Sequence, residues 1–276
     1  MTLAPAEIMD RLAALYGWPR HLPSGDAVGE LILTVLSQNT ADTNSGRAFT
    51  QMLRRYPSWD AIAFAPPDEL VETIRAGGLA QQKAPRIQAI LRAIRERQEG
   101  WDLAFLASVP LDEARAWLRA LPGVGPKTAA CVLLFSLGRP AMPVDTHVER
   151  VAKRLGLIAA KTTAEQAHDR LEALVPPESY YPFHMLLIKH GRRICDARRP
   201  DCGRCPLEPD CPASVLREPA RGQVEAPGHA SSVTAAASSS GAAAAAPPKR
   251  PSRRRAANDS NTPASASASP ATVTTR

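Results

Sequence analysis

The sequence predicts an all-α protein, and three observations carry that reading. Apolar residues recur every three or four positions along most of residues 5–192. Proline and glycine pairs interrupt the pattern at Pro66-Pro67, Gly77-Gly78 and Pro176-Pro177. No stretch alternates apolar and polar residues with the period of two that a half-buried strand requires.

The elements follow in order. Residues 5–16 place Ile8, Leu12 and Leu15 on one helical face, 29–36 are strongly apolar, and Phe49, Met52 and Leu53 continue the period in the next segment. Segments 67–76, 82–97, 111–120, 126–137, 145–155, 163–174 and 179–192 read as further helices. From Glu218 the composition changes to alanine, serine and proline, as in SSVTAAASSSGAAAAAPPKRPSRRR, with no large apolar residues at regular spacing. Such a segment buries too little to offset the entropy of ordering, so 218–276 is expected to be a disordered tail.

Charge divides at the same point. Seven basic and three acidic residues give the tail +4 of the chain's +7, which leaves residues 1–217 with +3. The folded part is only mildly basic, so the overall charge does not by itself imply a nucleic-acid partner. KRPSRRR either attracts phosphates without specificity or keeps the tail solvated. MTLAPAEIMDRL carries Glu7 and Asp10 where a signal peptide needs basic and apolar residues. The longest apolar run, Ala129–Phe135, is far short of a membrane span. Scarce, unpatterned cysteines elsewhere suit a reducing, cytoplasmic location.

Cys195, Cys202, Cys205 and Cys211 form the pattern C-x6-C-x2-C-x5-C. Four thiolates in 17 residues match the needs of an iron–sulfur cube, one sulfur per iron corner. A structural zinc also accepts four cysteines but usually draws on two short knuckles, and only Cys202 and Cys205 form one. A disulfide framework fits poorly with a chain that has no export signal. Arg198, Arg199 and Arg204 would present guanidinium groups from this loop to phosphates, diluted by Asp196 and Asp201. Cys131, within AACVLLF, reads as a buried, inert thiol.

In LPGVGPKTAA, Pro122 stops one helix, Gly123 and Gly125 allow unusual backbone angles, and Pro126 suits the first position of the next. Either this is a plain helix–turn–helix connection, or the backbone N–H groups of Gly123, Val124 and Gly125 hold a phosphate at a helix N-terminus. Lys127 lies where the positive end of the helix dipole disfavours an ammonium, which suits an amine nucleophile, although lysines near helix starts also serve as surface residues or phosphate contacts. In VDTH, Asp145 or Thr146 would cap the helix that follows, with Glu149 completing a capping box to Thr146.

These three motifs, in this order, resemble the endonuclease III class of DNA glycosylases, over roughly residues 5–212. The resemblance implies a helix–hairpin–helix glycosylase architecture of two helical domains with a DNA cleft between them. Residues 25–138 would form the bundle, and 1–24 with 139–217 the cluster domain. It further implies a [4Fe–4S] cluster on the four cysteines, and a monomer acting on double-stranded DNA with damaged bases or abasic sites. By the same resemblance Lys127 attacks the sugar at C1′ and Asp145 stabilises the charge developing there. The polar plug that fills the gap left by an extruded base, glutamine in that family, falls on Asn39 with Gln38 before it, and either would serve; alternatively Asn39 or Thr40 caps the next helix. The activity expected is base release from oxidised pyrimidines followed by β-elimination. The rivals are a mismatch- or purine-specific relative and a non-catalytic DNA-binding module. His147 and His190 read as structural.

Overall fold

Polar side chains and prolines start many of the helices. The structure is a computed structural model that describes residues 3–216, so the tail expected over 218–276 lies outside the described residues. Asp26, Ser58, Asp145 and Thr163 each accept a backbone N–H at the start of a helix, and Thr163 closes a full capping box with Gln166. Pro5, Pro67 and Pro126 occupy first turns, where no intrahelical N–H bond is lost.

The described helices are α1 (Pro5–Tyr16), α2 (Ala27–Ser37), α3 (Asp42–Arg55), α4 (Trp59–Ala63), α5 (Pro67–Thr73), α6 (Ala80–Arg97), α7 (Leu111–Arg119), α8 (Pro126–Cys131), α9 (Thr146–Arg154), α10 (Ala164–Leu174) and α11 (Tyr180–Arg193). No strand occurs among the described residues. At five residues, α4 is too short to show a period in the sequence. The helix expected over 67–76 stops at Thr73 and passes into a tighter turn, Arg75–Gly77.

Two hydrophobic cores organise these helices. One gathers Leu31, Ile32 and Leu36 of α2 with Met52, Ile62, Leu70, Ile87, Leu91 and Leu118. The other gathers Ile8 and Leu12 of α1 with Val148, Val151, Leu171, Phe183 and Leu187. Each fully buried side chain of this size contributes about 1.5–3 kcal/mol. Truncation of Phe183, which has no exposed surface, to alanine would cost about 3–5 kcal/mol.

The helix expected over 126–137 is not uniform. After Cys131 it widens into a π-helical turn, Val132–Ser136. Val132 and Leu133 belong to the first core and Leu134 to the second. The wider turn lets consecutive side chains serve two cores, and π-turns of this kind frequently accompany functional sites.

Candidate active site

A cleft of about 730 Å³ is lined by α2, the segment after it, α8, the start of α9 and α11. The sequence-predicted residues Lys127, Asp145, Gln38 and Asn39 all face this one space. Lys127 stands in the first turn of α8, directly after the hairpin. Cys131 lies one turn on and also borders the cleft. Burial pushes its thiol up to about 11, with the Lys127 ammonium offsetting part of the rise. It is buried as the sequence indicated, but its place beneath Lys127 was not visible in a linear reading.

Asp145 is the N-cap of α9, and its Oδ1 accepts the N–H groups of His147 at 2.9 Å and Val148 at 2.8 Å. Capping does not withdraw it from the cleft, because its side chain lines the cavity as well. The capping box expected at Thr146 is absent, since Glu149 pairs instead with Lys153 at 2.6 Å. The Nδ1 of His147 accepts from Arg150 Nη2 at 3.1 Å, and the His147 side chain packs against Gly191. Burial lowers its basicity. His147 also lines the cleft.

The hairpin has one residue in the left-handed region, Gly123 at φ 71°. A side chain at Gly123 would also crowd Arg86, 3.1 Å from the added Cβ. Gly125 is different. It is extended, at φ −92° and ψ 179°, so the unusual angle expected there is not needed. A Cβ added at Gly125 would meet nothing within 4 Å. Val124 departs from expectation too: its side chain is buried in the first core and its N–H donates to Leu121 O at 3.2 Å. The turn is tight enough to close on itself at that position.

The segment between α2 and α3 is fixed from below by Lys83. This buried ammonium donates to Leu36 O at 2.5 Å, Thr40 Oγ1 at 2.7 Å and Gly77 O at 2.8 Å. All three of its protons are thereby used. Gln38 Oε1 accepts from Arg86 at 2.8 Å. Asn39 is exposed, at φ 53°. Neither Asn39 nor Thr40 caps α3, whose N-cap is Ala41 without a side-chain bond. A second non-glycine residue with positive φ, Leu79 at 50°, starts α6 and leaves 47% of its surface exposed. Only Gly-Gly-Leu ahead of a helix without a polar cap could have flagged it. Across the cleft mouth Arg192 of α11 pairs with Asp42 at the start of α3 through both terminal nitrogens.

The four cysteines, Cys195, Cys202, Cys205 and Cys211, border a separate cavity walled by Val151, Leu155 and Ile194. Arg154 donates to Cys195 Sγ at 3.2 Å and to the carbonyls of Asp196 and Ala197 at 2.6 and 2.9 Å. His190 lies within the body of α11, so it does not cap the helix. It packs between Tyr16 Oη at 3.3 Å and Cys205 Sγ at 3.5 Å. Burial pushes the Cys205 thiol up to about 11, with the other three cysteines acting in the same direction. The neutral form of the Cys205 thiol is thus favoured. Among the described residues no three His, Cys, Asp or Glu side chains come together closely enough to hold one metal ion. Arg198, Arg199 and Arg204 are exposed on this loop and do not line the cleft that Lys127 and Asp145 share. Arg198 and Arg199 give their N–H groups to Asp196 Oδ1, and Arg204 pairs with Asp201 at 3.4 Å.

No described helix is long and apolar enough to cross a membrane. Residues 32–177 match the HhH-GPD superfamily base excision DNA repair protein family. Endonuclease III of Thermotoga maritima is 35% identical over 207 residues, which span 75% of this chain and 92% of that protein. Endonuclease III of Bacillus subtilis is 37% identical over 190 residues, 68% of this chain and 83% of its own length. A solved structure of a trapped endonuclease III–DNA covalent intermediate superposes with a TM-score of 0.64 at 31% identity, covering 76% of this chain and 97% of the other. The chain belongs to the HhH-GPD superfamily and, within it, to the endonuclease III family of DNA glycosylases and AP lyases.

Proposed function

We propose that Lys127 and Asp145 are the reacting pair of this base-excision repair glycosylase and AP lyase, and that its substrates are oxidised pyrimidines in double-stranded DNA. The observation that carries the reading is the convergence of a hairpin-borne lysine and a helix-capping aspartate on one cleft. The damaged nucleotide leaves the stack and enters the cleft. The Lys127 amine attacks C1′ while the base departs, and the Asp145 carboxylate stabilises positive charge on the sugar. Loss of the amine proton and opening of the sugar give an imine to Lys127. Proton loss at C2′ then expels the 3′ phosphate by β-elimination.

Around that pair, Gly123 and Gly125 approach a phosphate, and Asn39 is the residue that fills the vacated stack. Gln38 is less available because Arg86 holds it. Arg198 and Arg199 serve phosphates beyond the cleft, with Arg204 partly engaged by Asp201. The two cores support a division into a bundle, 25–138, and a second domain, 1–24 with 139–217. The protein acts as a monomer in the cytoplasm.

The cysteine cavity suits a [4Fe–4S] cluster. A single zinc needs sulfurs about 2.3 Å from one centre, whereas a cube spreads its four ligands around a larger body. All four cysteines border one cavity, which supports a group that takes all four thiolates together. The cluster would hold the loop from Cys195 to Cys211 in place against α9. Purified protein should carry about four irons per chain, and Cys205→Ser should reduce that content with the visible absorbance.

Borohydride trapping on duplex DNA holding thymine glycol, with Lys127→Ala alongside, tests the function. The expected result is a covalent adduct in the wild type and none in the variant. An adduct only at an abasic site would discard the substrate. None on either duplex would discard the lyase assignment.

A further inference from the structure

Four carboxyl groups line the cleft: Glu30, Asp42, Asp145 and Glu149. Three are engaged by charged or backbone donors. Asp42 pairs with Arg192, Glu149 with Lys153, and Asp145 caps α9. Glu30 differs. It stands in the first turn of α2, on the stripe that Leu33, Thr34 and Ser37 continue along the cleft wall. Its Oε1 accepts the Thr34 hydroxyl at 3.2 Å, and among the described residues no donor reaches Oε2. The titratable groups facing it are Lys127 and Cys131 of α8 and Asp26 at the cap of its own helix. Burial pushes its carboxyl up to about 7, against the pull of Thr34 and the Lys127 ammonium.

We propose that Glu30 is a third catalytic residue of this site, the acid that passes a proton to the departing base. The role rests on the reading of Lys127 and Asp145 given above. As the lysine nitrogen bonds to C1′, the C1′–N bond breaks and its electron pair goes to the base. Without a proton the base leaves as an anion; with one, taken up on a ring nitrogen or carbonyl oxygen, it leaves neutral. Glu30 is left as a carboxylate and regains its proton from water. A carboxyl that is acid for about half the time near neutral pH is matched to this task, and Thr34 holds it toward the cleft. An abasic site has no base to protonate, so the group has no part in Schiff-base formation there.

The test compares Glu30→Gln with wild type in two single-turnover assays. One follows base release from duplex DNA holding thymine glycol, and the other follows borohydride trapping at a preformed abasic site. Base release is expected to slow about 100-fold while abasic trapping stays within about threefold, the range a lost general acid predicts. Equal losses in both assays would mean that the carboxyl serves Lys127 or the fold, and would overturn the proposal. Unchanged base release would overturn it as well. Wild type that is trapped at the abasic site yet releases no thymine glycol would remove the substrate reading, and this role with it.

Discussion

Glu30, in the first turn of α2, and Lys83, packed against the other end of that helix, are two ionisable groups treated in opposite ways. At the C-terminal end of α2, Lys83 is buried with three oxygen acceptors within 2.8 Å. At the N-terminal end, Glu30 has one hydroxyl donor at 3.2 Å and a face on the cleft. A buried charge surrounded by a full set of partners fixes the fold around it. One left short of partners is available to something from outside. The difference marks Lys83 as scaffold and Glu30 as chemistry.

Two stability measurements can break or sharpen that contrast. The larger effect is expected at Lys83. Lys83→Met leaves the Leu36 and Gly77 carbonyls without this donor, which should cost about 2–4 kcal/mol in urea unfolding. Hydrogen exchange should rise first at 36–40, since that segment loses its anchor. A loss below 1 kcal/mol would mean that the ammonium is not the anchor its geometry describes.

At Glu30 the sign should reverse. Between pH 4.5, the group's ordinary value, and about 7 the folded chain keeps a proton that the unfolded chain has released. The folded state binds more protons in that window, so stability falls as pH rises through it. Glu30→Gln removes the penalty and should be more stable than wild type by up to about 3 kcal/mol at pH 8. The gap should close as the pH approaches 4.5, where both side chains are neutral. Thermal unfolding at pH 5 and pH 8 checks this, and a variant no more stable at pH 8 would count against a buried, underpartnered carboxyl.

This contrast also explains what the sequence made legible. Helices announced by apolar period emerged close to their expected limits, as with α1 over 5–16 and α10 from Ala164 to Leu174. The placing of Lys127 and Asp145 was legible because each sits at a helix start with its own punctuation, and the grouping of the cysteines because four lie close in sequence. Glu30 was hidden inside a run read as apolar, and Lys83 inside a helix rich in charged residues. What matters about both is depth and partner count, which are tertiary quantities. The π-turn at Val132–Ser136 was hidden for a related reason. Its cause is the meeting of two cores, and no local spacing encodes that. That Asn39 does not cap α3 emerged only with its backbone angle and the identity of the N-cap, Ala41.

The two glycines of the hairpin answer to different masters. Gly123 is required by the chain itself, through a left-handed backbone and the nearness of Arg86. At Gly125 the backbone is ordinary and the space beside it is open, so folding places little demand on that position. A library of variants sorted by yield or melting temperature would retain substitutions at Gly125 and discard those at Gly123. Sorted by DNA repair in a living cell, the same library would reject both. Positions that pass the first screen and fail the second trace the ground that the polynucleotide occupies, even when no nucleic acid is in view.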